Sequence, residues 1–439
     1  MGHYNGIYVN RRLVHHIRNW PVPPVGLEYL FVDSPVKVLT GSQARWYATY
    51  WRVASHEQPD PDEEVYVVQI QARELRDRLD AMGIGKDAVK DAYLLHVNSD
   101  VESQRNIAGY IRQMESNSDR EEMLAEVDSR IDTLLNEKFE DWWNDIQGTI
   151  SGGPVRYHLK YDDAYIWPFD EYADIRVVLR AIVAHVPDGK IITIDLTEDG
   201  GGCCLARNKE EIWDDPTSWD LGLEPTIVLT EGTFDAEVLN DGIRIVKPHL
   251  APYIRFFEHA VGVEGGAGSV VRNLKSFTAA GIRNRVIALL DNDSAAYEAV
   301  SGLRGFKLPS HFAVTHYPDI QLARNYPTVG PQGTAKMNVN GLAGSIELYL
   351  GTDVLSGADG LHPVHWKGRL PGISRYQGEV ADKSNIQKRF KAKVRALQSD
   401  PSLRGSQDWS GIDAILSSLL KTLSALPGAG KVHSSNLFV

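Results

Sequence analysis

Ile227-Val228-Leu229-Thr230-Glu231-Gly232-Thr233-Phe234-Asp235, followed about sixty residues on by Ala288-Leu289-Leu290-Asp291-Asn292-Asp293, decides how this chain is read. Each acidic group directly follows a short run of apolar, β-prone residues, which places both at the carboxyl ends of strands. In an open α/β sheet, ligands bind outside the strand carboxyl ends. A glutamate and an Asp-x-Asp pair gathered at one sheet edge make an oxygen-only cradle, the ligand set that suits Mg²⁺ acting on phosphates.

Outward from these segments the pattern alternates. Strands are expected over 226–230, 243–246, 260–263, 286–290 and 312–316. Helices are expected over 233–240, around 250–258, and over 268–280 and 294–302. Such alternation implies right-handed βαβ crossovers and a parallel sheet. Before it lie short β-prone pieces over 6–9, 27–32 and 36–39, a strand over 65–70, and a helix over 72–82 ended by Gly83. A helix over 172–186 leads into a strand over 191–197. One long helix is expected over about 118–147. Its apolar positions Met123, Val127, Ile131, Leu134, Leu135, Phe139, Trp142, Trp143 and Ile146 recur in steps of three and four. Its other face is acidic, which favours packing on its own domain over a membrane, and the Trp142-Trp143 stripe leaves self-association or partner docking open. After the core come a helix near 340–350, a Pro- and Gly-containing loop to 378, and helices near 384–398 and 410–425.

Length and composition bound the rest. A chain of 439 residues implies two to four domains, and its 43% hydrophobic and 24% charged content is ordinary for a globular protein. No apolar stretch reaches the ~18 residues of a membrane span, and the N-terminal segment lacks the pattern of a secretory signal, so a cytoplasmic protein with no membrane partner is expected. Cys203 and Cys204, the only cysteines, are adjacent, which excludes a four-ligand zinc site and a disulfide framework. The net charge of −12 is not that of a non-specific nucleic-acid binder. Residues 367–395 run against it, with Lys367, Arg369, Arg375, Lys383, Lys388, Arg389, Lys391, Lys393 and Arg395 against only Glu379 and Asp382.

Three further patterns carry no chemistry. Arg11 and His16 share an Arg-x₄-His spacing, but in turn and strand surroundings rather than on a long helix. Gly428-Ala429-Gly430-Lys431 lacks the first glycine of a phosphate loop and has Val432 where Ser or Thr belongs. His311 and His316 flank a strand at an odd offset, a structural placement.

The acidic segments resemble those of a Toprim domain, the fold shared by topoisomerases, bacterial primases and several nucleases. Thr230-Glu231-Gly232-Thr233-Phe234-Asp235 and Leu290-Asp291-Asn292-Asp293 match its two motifs. The likeness is to the nuclease branch of the overcoming-lysogenization-defect type, in which a second acid follows the first by four residues, here Asp235. A Gly-rich turn, Val263-Glu264-Gly265-Gly266-Ala267-Gly268, is also similar to that branch. Residues 74–83, Asn340 to Tyr349 and Tyr376-Gln377-Gly378-Glu379 resemble the HEPN/Toprim-associated proteins, so the likeness covers most of the chain.

The resemblance implies an α/β protein with a Toprim-like parallel-sheet core, a mainly helical N-terminal domain and a mixed C-terminal extension. The expected boundaries are 1–150 (N-terminal), 151–225 (α/β connector), 226–350 (catalytic core) and 351–439 (basic extension). It also implies a nuclease directed against phages and mobile elements. Asp291 and Asp293 would hold Mg²⁺ (or Mn²⁺), with Glu231 as ligand or general base. Asp235 lies one helical turn on from Glu231, on the same face, and would help with a second ion. Glu347 would complete the shell. Lys383, ahead of Lys336, would stabilise the phosphate in the transition state. The expected partners are DNA or RNA, with a homo-oligomer or a separate defence protein besides. A topoisomerase would need large gate domains, and a primase a zinc domain that two adjacent cysteines cannot build. The rival of another class is a non-catalytic sensor or assembly protein whose acidic site binds metal or nucleotide.

Overall fold

A computed structural model of the chain describes residues 3–19, 27–32, 34–47, 64–116, 118–151, 169, 174–199, 224–257, 265–357 and 360–427. The chain divides into a first unit, Met1–Leu223 with Gly430–Val439, and a second, Glu224–Ala429. Cys203, Cys204, the strand expected over 260–263, Val263, Glu264 and the Gly428–Lys431 segment lie outside the described residues.

In the first unit, strands β1 (His3–Val9), β2 (Arg12–Asn19), β3 (Lys37–Leu39), β4 (Val65–Gln71) and β5 (Ile191–Asp195) form an antiparallel sheet in the order β2-β1-β5-β4-β3. β5, expected in a connector, occupies the middle of this sheet, so residues 191–195 belong to the first unit. Arg11 sits in the β1–β2 turn at φ 71° and His16 in β2, so neither lies on a helix. The helix Ile175–Ala184 is apolar almost all round and is buried along its length, as such a helix must be.

Several helices differ from expectation. Residues 27–30 form a helical turn rather than a strand, and the 27-residue helix Lys86–Arg112, whose polar positions mask its stripe of Val89, Tyr93, Val97 and Val101, was not expected. The stretch 118–147 is two helices, Ser118–Asn136 and Phe139–Ser151, broken at Glu137-Lys138. The break turns the aromatic residues inward. Phe139, Trp142 and Trp143 pack with Tyr93, Phe169 and His185, and Trp142 is 1% exposed. The tryptophan stripe is therefore core and does not offer a docking face.

The second unit is built on a parallel sheet of β6 (Thr226–Leu229), β7 (Ile254–Phe256), β8 (Val286–Leu290) and a later strand, β10 (Phe312–His316). β8 is buried at every position, as a central parallel strand should be. A two-residue strand, β9 (Asn292–Asp293), follows β8 almost at once and pairs antiparallel with β13 (Ala343–Gly344). Between them, β11 (Tyr326–Gly330) and β12 (Gly333–Met337) form a hairpin. After the small β14 (Ser356–Gly357) and β15 (Gly360–Leu361) hairpin come β16 (Val364–Leu370) and β17 (Arg375–Val380), in a second sheet of order β12-β11-β16-β17.

Residues 243–246 are not a strand. They finish the helix Thr233–Val246, whose buried face (Asp235, Ala236, Val238, Leu239, Gly242, Ile243) keeps helical spacing. Gly242 does not stop this helix: a Cβ there would lie 2.6 Å from an Ile412 methyl, so the glycine admits the neighbouring helix Ser410–Ala425. The helix expected around 250–258 is a 3₁₀ turn, Pro248–Tyr253, that runs into β7. The helix expected near 340–350 is β13 followed by the 3₁₀ turn Ile346–Tyr349, and the loop expected to 378 contains the β16–β17 hairpin.

Candidate metal centre

The parallel sheet runs β10-β8-β6-β7. From β6 the chain winds outward to β7, then crosses back to β8 on the other side of β6 and on to β10. The winding reverses between β6 and β8, and the crevice outside the carboxyl ends of that pair is where such sheets take ligands. Glu231 follows β6 and Asp291 follows β8. The Asp291 backbone N–H donates to Glu231 Oε1 at 3.0 Å. The glycine turn closes onto the same point, with Gly266 N–H donating to the Glu231 carbonyl at 2.6 Å. A Cβ at Gly265 would lie 2.5 Å from that carbonyl oxygen, and Gly266 has φ 93°, so both positions demand glycine.

Four more side chains converge there. Asp235, in the first turn of the helix Thr233–Val246, accepts from the Tyr317 hydroxyl at 2.9 Å. Asp293 caps the helix Ser294–Val300, its Oδ1 accepting from Ala296 N–H at 2.8 Å, while its Oδ2 accepts from Gln377 Nε2 at 2.7 Å. The β9–β13 pairing, Asp293 opposite Ala343 and Asn292 opposite Gly344, brings the 3₁₀ turn with Glu347 beside the strand ends. Glu347 is 2% exposed, a buried acid rather than a surface one. Its Oε2 accepts from Ser345 Oγ at 2.7 Å and its Oε1 from Gln387 Nε2 at 3.0 Å. Lys383, first residue of the helix Lys383–Ser399, stands 3.4 Å from Glu347 Oε2 and 3.5 Å from Glu379 Oε1.

Asp291 is the centre of this group. Part of the residue meets solvent, but its Oδ1 is sealed away and has no hydrogen-bond partner. Burial raises its pKa well above the ordinary value, and the charges of Asp235, Glu231, Asp293 and Glu347 all add to the effect. Glu231 is pushed to about 7 by burial and by Asp293 and Asp235, against the backbone N–H donors of Asp291 and Ala267. Asp235 is pushed to about 6 by burial and Glu347, against the Tyr317 bond and Lys383. Burial lowers the Lys383 pKa, but Glu347, Glu379 and Asp291 outweigh it and the net shift is upward.

Among the described residues, no group of three or more His, Cys, Asp or Glu side chains forms a ready-made metal cage. The donor set nevertheless fits a hard divalent cation. It is all oxygen, it repels itself, and it contains a buried carboxylate oxygen with nothing to bind, the group a cation would satisfy.

Of the residues expected to serve a site, Glu231, Asp235, Asp291, Asp293, Glu347 and Lys383 come together. Lys336 lies on the exposed β12, paired opposite Pro327. The basic segment is largely spent on neighbours within the second unit: Lys367 pairs with Glu379, Lys391 with Glu237, Lys393 with Asp353, and Arg389 donates to the Ser356 and Asp353 carbonyls. His316 Nδ1 meets the Asp291 carbonyl at 2.9 Å and His311 Nε2 the Ile282 carbonyl at 3.0 Å, so both are structural. Sequence reasoning gave no role to Tyr317, Ser345, Gln377 or Gln387. Tyr317 directly follows β10, the one signal that could have marked it.

Comparison with protein-family models, curated proteins and solved structures finds no match for this chain.

Proposed function

We propose that the second unit is a Mg²⁺- or Mn²⁺-dependent nuclease of Toprim type that hydrolyses phosphodiester bonds in DNA or RNA, acting in defence against phages. The observation that carries this reading is the unpartnered Asp291 Oδ1, buried among four further carboxylates at the reversal point of a parallel sheet. Asp291 and Asp235 would hold the ion, with the remaining lone pairs of Asp293 and Glu347. When bound, it supplies Lewis-acid polarisation of the phosphoryl group and of the attacking water. Glu231, whose pKa lies at about 7 before an ion binds, would serve as a further ligand or as the base for that water. Lys383, 3.4 Å from Glu347 Oε2, would bear on the charge that develops at phosphorus.

One observation favours the non-catalytic reading. Both oxygens of Asp293 and both of Glu347 already accept bonds from the protein, an arrangement that suits a rigid binding site without turnover. Labelled DNA and RNA, incubated with Mg²⁺ or Mn²⁺ and then with EDTA, separate the two. Cleavage that needs the metal and disappears in Glu231→Ala is the result expected of the nuclease. Cleavage that survives Glu231→Ala removes this site from the chemistry.

A further inference from the structure

Strand β17 runs past the acidic centre with alternate residues facing it. Gln377 holds Asp293 through Nε2 and accepts the Ala295 N–H at 3.0 Å through Oε1. Glu379, two residues on, meets Lys383. Arg375, two residues before Gln377, shares their face by strand alternation. It is exposed and makes no ion pair among the described residues, in contrast to the basic residues bound up elsewhere in the unit. Its guanidinium lies 5.0 Å over the Tyr297 ring. Tyr297 in turn stacks on His316 at 4.1 Å and donates to Asn292 Oδ1 at 3.2 Å, and His316 meets the Asp291 carbonyl. The guanidinium of an exposed arginine thus lies over an aromatic stack that leads to the Asp291 backbone. An arginine so placed offers bidentate donors to a phosphate.

We propose that Arg375 is the binding site for a backbone phosphate adjacent to the one at the acidic centre, so that the substrate is a nucleic-acid strand lying along β17. Arg375 and Gln377 are separated by about 6.6 Å of strand, and each nucleotide brings one further phosphate charge. Lys383 lies at the Glu379 end of the same face. The strand would therefore meet a cation on each side of the carboxylates. This site rests on the nuclease reading for its ligand, but it is tested by binding as well as by cleavage.

The test uses the full chain with Ca²⁺ or Mg²⁺, fluorescence anisotropy with labelled single-stranded oligonucleotides, and hydrolysis of bis(p-nitrophenyl) phosphate, a diester without a neighbouring phosphate. Arg375→Ala is expected to weaken oligonucleotide binding about tenfold and to lower the salt dependence of log K by about 0.7. Hydrolysis of the small diester should be unchanged. Arg369→Ala is the control: it removes an equal charge from the adjoining strand, opposite Tyr376 on the other face, and should leave binding unaltered. Equal losses in the two variants, or no loss in Arg375→Ala, overturn the site, as does a parallel fall in small-diester hydrolysis. Binding that depends on Arg375 without any cleavage by the wild type sustains the site and removes the nuclease reading. Failure of the wild type to bind any strand removes both.

Discussion

Raising the pH in the absence of divalent ions should destabilise the second unit, and the size of the effect follows from the carboxylate cluster. Folding raises Glu231 from 4.5 to about 7 and Asp235 from 3.8 to about 6. At about 1.4 kcal/mol per pKa unit, these shifts correspond to roughly 3 kcal/mol each. They share the repulsion between the same acids and cannot simply be added, so a combined penalty of about 4 kcal/mol is the working figure. The sign is fixed by linkage. A carboxyl group whose pKa is raised on folding stabilises the folded state below its unfolded pKa, near 4, and that stabilisation is lost as pH rises through the folded value. Most of the loss therefore falls between about pH 4 and 7. For a unit of this size, about 4 kcal/mol is a fall of roughly 10 °C in Tm.

Thermal unfolding followed by circular dichroism in EDTA, from pH 4 to pH 8, measures this loss. Comparison with Glu231→Gln isolates the cluster from every other titrating group. The variant keeps an acceptor for the Asp291 and Ala267 N–H groups but loses the charge. Its decline should be shallower by about half, leaving it more stable than the wild type at pH 8 by roughly 2 kcal/mol. Mg²⁺ or Mn²⁺ at a hundredfold excess over Kd should restore about 2.7 kcal/mol to the wild type and less to the variant. Superimposable pH profiles for the two proteins, or a wild type more stable at pH 8 than at pH 5 in EDTA, would refute the coupling of these acids.

Three other outcomes are expected. A Cβ at Gly344 would lie 2.5 Å from the Asn292 carbonyl, so Gly344→Ala should push β13 off β9, destabilise the unit by about 1–3 kcal/mol in urea titrations, and reduce metal-dependent cleavage by displacing Glu347. At pH 5, where Glu231 is protonated and the repulsion is relieved, Asp293→Ala should lower stability by about 1 kcal/mol through loss of the helix cap, and Asp293→Asn, which still accepts from Ala296, by less. In the first unit, Trp142→Ala should cost about 3–5 kcal/mol by emptying the aromatic core, whereas the exposed Tyr110→Ala should change stability by less than about 0.5 kcal/mol, both read from urea denaturation.

The parallel core was legible where strand and acid stand side by side in sequence. β6, β8 and β10 follow directly from their apolar runs, and Glu231 and Asp291 from their places after two of them. Residues 243–246 mislead because Ile243, Ile245 and Val246 suit a strand as well as a helix. Only the contact of Gly242 with Ile412, about 170 residues away, shows that the glycine admits a neighbour rather than ending the helix. The break at Glu137-Lys138 is hidden for a similar reason. The stripe keeps its spacing across it, and the turn is imposed by Tyr93, Phe169 and His185.

The site was legible as a set of acids but not as a division of labour among them. Asp-x-Asp presents two equal carboxylates in sequence, yet their surroundings in the fold differ. Asp293 caps a helix and is held by Gln377 from β17, whereas Asp291 keeps one buried oxygen unpaired. That difference depends on where a strand 84 residues downstream lies, which no local pattern encodes. A buried oxygen that the protein does not satisfy is unfavourable in the folded chain alone, and the four charges around it make it more so. Capture of a cation relieves both. The strain is concentrated at Asp291 rather than spread over the pair, so loss of the Asp291 carboxylate should abolish cation binding, whereas loss of Asp293 should mainly loosen the helix it caps.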